Sequence, residues 1–130
     1  MSTTTATSRD LPELVQRFLD ATERGDISAL ADLIHPEISV QWPQSGEGFT
    51  GRDNAIAAQL ATPVKPEVAG EMIVVGHDDL WVIRMPLRYG DDIYHYAGIF
   101  ELEGGLVRRT TEYFAAPFPP NEARAAYADR

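Results

Sequence analysis

The spacing of apolar residues predicts three helices in the first half of the chain. Residues 11–19 carry leucine, valine and phenylalanine at helical intervals, between a predicted N-cap at Asp10 and a terminating glycine at Gly25. A shorter helix follows the capping residue Asp26, and a His-Pro pair ends it, because the residue before proline disfavours helical angles. Residues 51–61 form the third predicted helix.

Alternating apolar and polar residues predict a strand-rich second half. After a short strand at 38–42 and a glycine-bearing loop, the predicted strands span 68–76, 80–89, 93–103 and 106–114. Turns rich in Asp and Gly separate them, so we expect successive antiparallel hairpins. Helices followed by a four-strand meander predict an α+β fold, with the helices packed on one face of a curved sheet.

Side-chain parity separates the inner and outer faces of these strands. On the strand at 93–103, the alternate residues that include Tyr96 are uncharged and rich in aromatics, so they are predicted to face the helices. On the strand at 80–89, every second residue from Trp81 onward is apolar and is predicted to face inward. The outward set on 93–103 includes Ile99, which predicts an apolar dimer surface. The last strand has no purely apolar face. Its polar residues therefore line a ligand pocket, or the strand lies at a sheet edge with both faces partly exposed to solvent.

Composition and charge narrow the class of protein. The chain has 130 residues, which fits one domain at 10–130 after a disordered polar tail at 1–9. The absence of cysteine excludes disulfides and thiolate catalysis, and a net charge of −9 disfavours nucleic acid and anionic membranes as partners. No apolar stretch approaches the roughly 18 residues that cross a bilayer, and the N-terminus lacks a signal-peptide pattern, so a cytoplasmic location is expected.

The three histidines and the scattered acids do not have the spacing of metal ligands, so no metal is expected. His35 is expected at a helix end, His77 in a turn and His95 on the outer face. The glycine-bearing loop at 45–48 lacks the spacing of a phosphate-binding loop and is expected to shape the mouth of a pocket.

Four segments carry a family resemblance. They are FLDATERGDISAL at 18–30, the His-Pro pair at 35–36, WPQSGEGFTGR at 42–52 and TTEYFAAPF at 110–118. Together they resemble the SnoaL-like group of the nuclear transport factor 2-like superfamily, over roughly residues 11–127. The resemblance implies a cone-shaped, strongly curved antiparallel sheet wrapped on three N-terminal helices, a pocket at the open end, and a homodimer formed through the outer sheet face.

This superfamily includes isomerases, dehydratases, epoxide hydrolases, cyclases and non-enzymatic domains, so the fold alone does not specify the chemistry. The base and the two oxyanion-binding positions of its ketosteroid isomerases correspond to Trp42, Phe18 and Gly98, whose side chains cannot perform those roles. The paired histidines of scytalone dehydratases and the Asp-Arg-Asp arrangement of limonene-epoxide hydrolases have no counterpart in this sequence.

Glu112 matches the carboxylate that SnoaL-type cyclases and phenazine-biosynthesis A/B proteins have near the end of the last strand. The resemblance implies that Arg108, Thr110 and Glu112 all face inward. Inside an apolar cone, burial would raise the pKa of this glutamate and suit it to proton transfer near neutral pH. Each of two residues has an alternative role. Glu112 could be a structural carboxylate instead of an acid/base, and Arg108 could pair with an acid instead of contacting a ligand.

The sequence therefore predicts a pocket protein for a small apolar or polycyclic organic molecule. If it is an enzyme, we expect a cofactor-free isomerase, dehydratase or cyclase with Glu112 as the acid/base. The alternative is a non-catalytic ligand-binding or dimerisation module, which the missing isomerase residues favour. The predicted ligand contacts are Phe18, Trp42, Trp81, Tyr96, Arg108 and Thr110.

Overall fold

One large mixed sheet forms the main layer of the structure. A computed structural model of the chain describes residues 4–6, 12–61 and 64–129. Its strands are β1 (Thr4–Ala6), β2 (Ile34–Trp42), β3 (Glu47–Thr50), β4 (Glu67–Val68), β5 (Ile73–His77), β6 (Leu80–Tyr89), β7 (Asp92–Glu103) and β8 (Leu106–Ala115). Their order in the sheet is β1-β5-β6-β7-β8-β2-β3, and β4 pairs with β6. The predicted meander is confirmed as β5 to β8, whose neighbours pair antiparallel.

The three predicted helices are confirmed as α1 (Glu13–Arg24), α2 (Ile27–Ala31) and α3 (Arg52–Ala61). Gly25 ends α1 in the left-handed conformation at φ 65°, which a glycine adopts without steric cost. Asp26 caps α2 by accepting a hydrogen bond of 3.0 Å from the amide of Ala29. The predicted N-cap Asp10 lies outside the described residues. A short 3-10 helical turn at Glu122–Tyr127 follows the sheet.

The helices and the concave face of the sheet share one hydrophobic core. Val15 and Leu19 of α1 and Ala55 of α3 belong to the same buried cluster as inward side chains of the sheet. The sheet contributes Ile34, Ile38, Val40, Val74, Trp81, Ile83, Met85, Leu87, Tyr96, Phe100 and Val107. Burying one large apolar side chain stabilises a fold by about 1.5–3 kcal/mol, so this cluster is the main source of stability. The α+β fold and the inward parity predicted for β6 and β7 are confirmed.

The structure corrects the prediction for the segment after α2. His35 does not end a helix but lies within β2, which begins four residues earlier than predicted and pairs in parallel with β8. The register between these strands is irregular from Ile34 to Ser39. Pro36 lies in this stretch, where the irregular pairing accommodates a residue that has no N–H to donate.

Three smaller differences concern the edges of the sheet. The predicted loop after β2 contains a strand, β3, which pairs with β2 as a hairpin. The predicted strand at 68–76 is divided into β4 and β5, which pair with different parts of β6. Within the predicted polar tail at 1–9, Thr4–Ala6 pair with β5, and the rest of the tail lies outside the described residues.

Candidate functional site

A cavity of about 300 Å³ lies between the helices and the concave face of the sheet. Residues of α1, α2 and α3 and of five strands line it, and most of these side chains are apolar. Its aromatic members are Phe18, Trp42, Tyr89, Tyr96, Phe100 and Phe114. The volume is at the lower end of the roughly 300–1,000 Å³ that is typical of small-molecule sites.

Glu112 supplies a carboxyl group to this apolar cavity. Its side chain is partly buried; Oε1 accepts a hydrogen bond of 3.1 Å from the indole Nε1 of Trp42, and Oε2 accepts a short one from the hydroxyl of Tyr96. The ion pairs among the described residues all involve other acids. Two neutral donors therefore hold this carboxyl group, and the described part of the chain gives it no cationic partner.

Strand register brings these three side chains together. Across the β7–β8 pair, Gly98 lies opposite Glu112, and Tyr96 is two residues before Gly98 on the same face of β7. In the parallel β2–β8 pair, Gln41 lies opposite Thr111, so the next residue of each strand, Trp42 and Glu112, are also neighbours. The glutamate is therefore flanked by one donor from each adjacent strand.

Gly98 makes room for the tyrosine to reach the carboxylate. A Cβ atom at this position would lie 2.7 Å from Cε1 of Phe100 and 2.9 Å from Cζ of Tyr96, which is closer than real Cβ contacts. Because glycine has no side chain, the ring of Tyr96 can lie over the backbone at Gly98 and direct its hydroxyl to Glu112. The glycine is thus part of the geometry of the site.

Aromatic contacts and one hydrogen bond fix the tryptophan. Its ring packs edge-to-face against Phe49 of β3 and Phe114 of β8, with centroid distances of 4.7 and 5.7 Å. The turn that follows Trp42 is tied to β8, since the side-chain oxygen of Gln44 accepts a hydrogen bond of 2.5 Å from the amide of Phe114. The indole N–H is therefore held in position before any ligand arrives.

Burial changes the ionisation of the groups around the cavity. It raises the pKa of Glu112, although hydrogen bonds from Tyr96 and Trp42 and the nearby hydroxyl of Thr110 act in the opposite direction. Burial also raises the pKa of Tyr96 well above its ordinary value, and the negative charge of Glu112 adds to this effect. The pKa of Tyr89 is raised by burial and by the same charge, so Tyr89 also lies within electrostatic reach of Glu112.

Four of the seven predicted site residues line the cavity: Phe18, Trp42, Tyr96 and Glu112. The inward orientation predicted for Arg108 is wrong. Glu101 pairs with Arg109 and Leu102 with Val107, so Arg108 is an unpaired extra residue, a β-bulge that shifts the strand parity. Its guanidinium donates to the carbonyl of Glu37 at 2.6 Å, and its Nε lies 3.8 Å from a carboxylate oxygen of Glu103.

Trp81 and Thr110 face inward as predicted but do not line the cavity. Trp81 is in the core near the β5–β6 turn, where its indole Nε1 donates to the carbonyl of Asp78 at 3.0 Å. Thr110 is buried two residues before Glu112 on the same face of β8, and its hydroxyl makes no hydrogen bond of standard geometry to other described residues. Both therefore belong to the packed interior rather than to the cavity lining.

Several lining residues were not predicted as ligand contacts. Phe114 and Tyr89 could have been found from parity, because each belongs to the same strand face as a predicted contact, Glu112 and Trp81 respectively. Gln59, Leu60 and Lys65 reach the cavity from the end of α3 and the segment after it. No periodic pattern marks these three, because only the tertiary packing of α3 brings them to the cavity.

The described ranges offer neither a metal site nor a membrane-spanning helix. Residues 4–6, 12–61 and 64–129 contain no group of three or more acids or histidines that could hold a metal ion. Among the helices of the same ranges, none combines the length and the apolar character that a bilayer crossing needs. The cavity around Glu112 is therefore the candidate site that the described residues offer.

A curved sheet wrapped around helices, with one acidic group in an apolar cavity, defines a class of small α+β pocket proteins. The SnoaL-like domain family matches residues 15–110, which is most of the chain, and the chain belongs to this family. No curated protein is significantly similar to it.

Solved structures share the fold. An NTF-2-like protein of unknown function from Burkholderia xenovorans is 29% identical, with a TM-score of 0.78 over 91% of this chain and 92% of that one. A candidate ketosteroid isomerase from Kribbella flavida is 19% identical, with a TM-score of 0.81 over 90% and 86%. A candidate polyketide cyclase from Sinorhizobium meliloti is 23% identical, with a TM-score of 0.61 over 82% and 99%. The resemblance to the nuclear transport factor 2-like superfamily is confirmed.

Proposed function

We propose that this protein is a cofactor-independent enzyme that moves a proton on a small, largely apolar organic molecule, in a reaction of the isomerase, lyase or cyclase type. Glu112 is the proposed acid/base. The observation that supports this role is a single carboxyl group in an aromatic-lined cavity, with a pKa raised by burial. A raised pKa brings a carboxyl group closer to neutral pH, where it exchanges protons most effectively.

Tyr96 and Trp42 are the proposed positioning residues. Each donates to a different oxygen of Glu112, which fixes the plane of the carboxylate. A carboxylate oxygen has two lone pairs, so each oxygen retains one that can take a proton from a bound molecule. Two structural neighbours carry names from the proposed reaction classes, an isomerase and a cyclase.

The test begins with a thermal-shift screen of ring compounds of increasing size. A compound present at 100 times its Kd adds about 2.7 kcal/mol of stability, and for a domain of this length the melting temperature rises by roughly 10 °C. The cavity of about 300 Å³ favours compounds with one or two rings over larger polycycles. The hits are then incubated with the protein in D₂O, and deuterium incorporation at carbon is followed by NMR.

Wild-type protein is expected to catalyse deuterium exchange into a bound hit, and Glu112→Gln is expected to slow exchange by about 10²–10⁴-fold, the usual contribution of a general acid/base. Glu67→Gln, which removes an exposed carboxylate of β4 outside the lining, is the matched control and should exchange at the wild-type rate. Equal exchange rates in wild type and Glu112→Gln would exclude the proposed role.

The second candidate function is a non-catalytic ligand-binding module. Both oxygens of Glu112 already accept hydrogen bonds from the protein, which is also the arrangement of a structural carboxylate. The same experiment separates the two functions. Hits that bind without exchanging deuterium at carbon would favour the binding module over the enzyme.

A further inference from the structure

The cavity contains an acidic group for which the described residues supply no positive partner. Glu112 accepts hydrogen bonds from Tyr96 and Trp42, but it takes part in none of the ion pairs of the structure's described part. Burial removes a carboxylate from water, neutral donors replace that hydration only in part, and buried charges in proteins are normally paired. The molecule that occupies the cavity can supply the missing charge.

Aromatic rings surround the same carboxylate. The ring of Phe114 lies 5.7 Å from that of Trp42 and 5.2 Å from that of Tyr96, measured between centroids. Phe18 and Phe100 form a second edge-to-face pair at 5.0 Å, and all five rings line the cavity. Aromatic faces attract cations through their quadrupole, most strongly where water is excluded. The aromatic rings and the carboxylate therefore both favour a positive charge on a ligand.

Among the described lining residues, the cation is Lys65, which is exposed to solvent. Lys65 lies in the segment between α3 and β4, where solvent and salt screen its charge. Lys65 would repel a positive ligand, whereas the net charge of −9 attracts positive ligands to the molecule over longer distances. The balance of charge at the cavity therefore favours a cation.

We propose that the cavity selects a small organic cation, with an amine or quaternary ammonium group against Glu112 and an apolar body among the aromatic rings. The proposal rests on the proposed ligand-binding role of the cavity and adds the charge of the ligand. A neutral ligand of the same shape gains the apolar contacts but leaves the carboxylate unpaired.

The test uses two probes of the same shape that differ in charge. They are (4-hydroxymethylphenyl)trimethylammonium and 4-tert-butylbenzyl alcohol, whose hydroxyl groups do not ionise in the pH range used. Calorimetric titration measures their affinities at about pH 8, which lies above the ordinary pKa range of a carboxyl group. The wild-type protein is expected to bind the ammonium probe about tenfold more tightly, or more, because ion-pair and cation–π attraction act together. Glu112→Gln should bind both probes with similar affinity. Glu67→Gln, the matched control, should retain the wild-type preference.

Acidification provides a second measurement that needs no variant. The ionisable groups that line the cavity are Lys65, Tyr89, Tyr96 and Glu112, and of these only the glutamate loses its charge as the pH falls. The ammonium probe keeps its charge at every pH. Its advantage over the neutral probe in wild-type protein should therefore shrink on acidification, even where Glu112→Gln does not fold.

The outcomes separate this proposal from the proposed function. Equal affinities for the two probes in wild-type protein overturn the charge selection but leave the pocket function standing, because the neutral probe still binds. An ammonium preference that persists in Glu112→Gln also overturns it. If neither probe binds up to millimolar concentration, both the pocket function and the charge selection fail.

Discussion

At the scale of single residues, opposing effects decide the ionisation of Glu112. Hydrogen bonds to a charged group contribute about 1.5–3 kcal/mol each, and Trp42 and Tyr96 supply two of them. Removing a carboxylate from water costs several kcal/mol even after the surroundings relax. The pKa of Glu112 is raised rather than lowered, so the cost of burial exceeds the gain from its donors.

This balance predicts how stability depends on pH. The unfolded chain loses the Glu112 proton near its ordinary pKa of 4.5, whereas the folded protein keeps it to higher pH. The stabilisation is therefore complete below the unfolded pKa and is lost as the pH rises through the folded pKa. Relative to Glu112→Gln, the wild type should lose stability across that interval in denaturant unfolding at a series of pH values. A constant or rising difference would contradict the prediction.

The hydrogen bond from Tyr96 to Glu112 can be tested by removing one oxygen atom. Tyr96→Phe removes only the hydroxyl, so it should lower the free energy of unfolding by about 1.5–3 kcal/mol at neutral pH, where the carboxylate loses a donor. Thr111→Val on the same strand is the control, because the hydrogen bonds to the carboxylate in the described structure come from Trp42 and Tyr96. A loss below that of the control would mean that the hydroxyl does not stabilise Glu112.

At the scale of elements, one irregularity of pairing in β8 and one glycine in β7 shape the site. The bulge at Arg108 changes the parity of β8, so that Val107, Thr110 and Glu112 face inward and Arg108 does not. On β7, Gly98 leaves space for the ring of Tyr96 beside the glutamate. One inserted residue and one missing side chain thus determine which groups meet in the cavity.

Gly98→Ala tests this arrangement. The new methyl group would meet Tyr96 and Phe100, so the tyrosine ring must move and its bond to Glu112 is lost. The expected loss is about 1–3 kcal/mol of stability, as for other overpacked cores, and ligand affinity should fall with it. A double-mutant cycle with Tyr96→Phe provides the control, since part of the clash is with the hydroxyl. Purely additive effects of the two changes would show that Gly98 does not act through Tyr96.

At the scale of the whole molecule, the outer face of the sheet has exposed apolar side chains. Val82 and Ile99 are paired across β6 and β7 and are each 37% exposed, and Tyr113 on β8 is 39% exposed. Beyond the sheet, Phe118 and Tyr127 are 81% and 85% exposed. Exposed apolar side chains that neighbour one another on a sheet face, as Val82 and Ile99 do, are typical of interfaces. A homodimer through this face stays a prediction.

Ile99→Arg is expected to weaken this dimer. An arginine in the apolar centre of a two-fold interface would be repeated on both copies and left unpaired, so association should weaken by about tenfold or more. Light scattering after size exclusion measures the mass. Val64→Arg, at a position 49% exposed in the segment between α3 and β4, is the control and should not change the mass. A wild-type monomer at high concentration, or a dimer that withstands Ile99→Arg, would exclude this interface.

Most of the helices and strands, and most of the inward faces, could be predicted from the amino-acid sequence alone. Capping signals predict the helix limits at Gly25 and Asp26. Alternation predicts β6 and β7 and the inward position of Tyr96, and the family resemblance predicts that of Glu112. These are local patterns, or patterns shared with a family. They are set by residues that are close together along the chain.

Which side chains meet at the site follows only from the packing of the folded chain. The parallel pairing of β2 with β8 joins residues 70 positions apart, Trp42 and Glu112, and no local pattern encodes such a register. The bulge that turns Arg108 outward is likewise a property of two strands in contact, because alternation in one strand assumes regular pairing with the next. Register and packing depend on the whole assembled sheet, so they become definite only when the chain has folded.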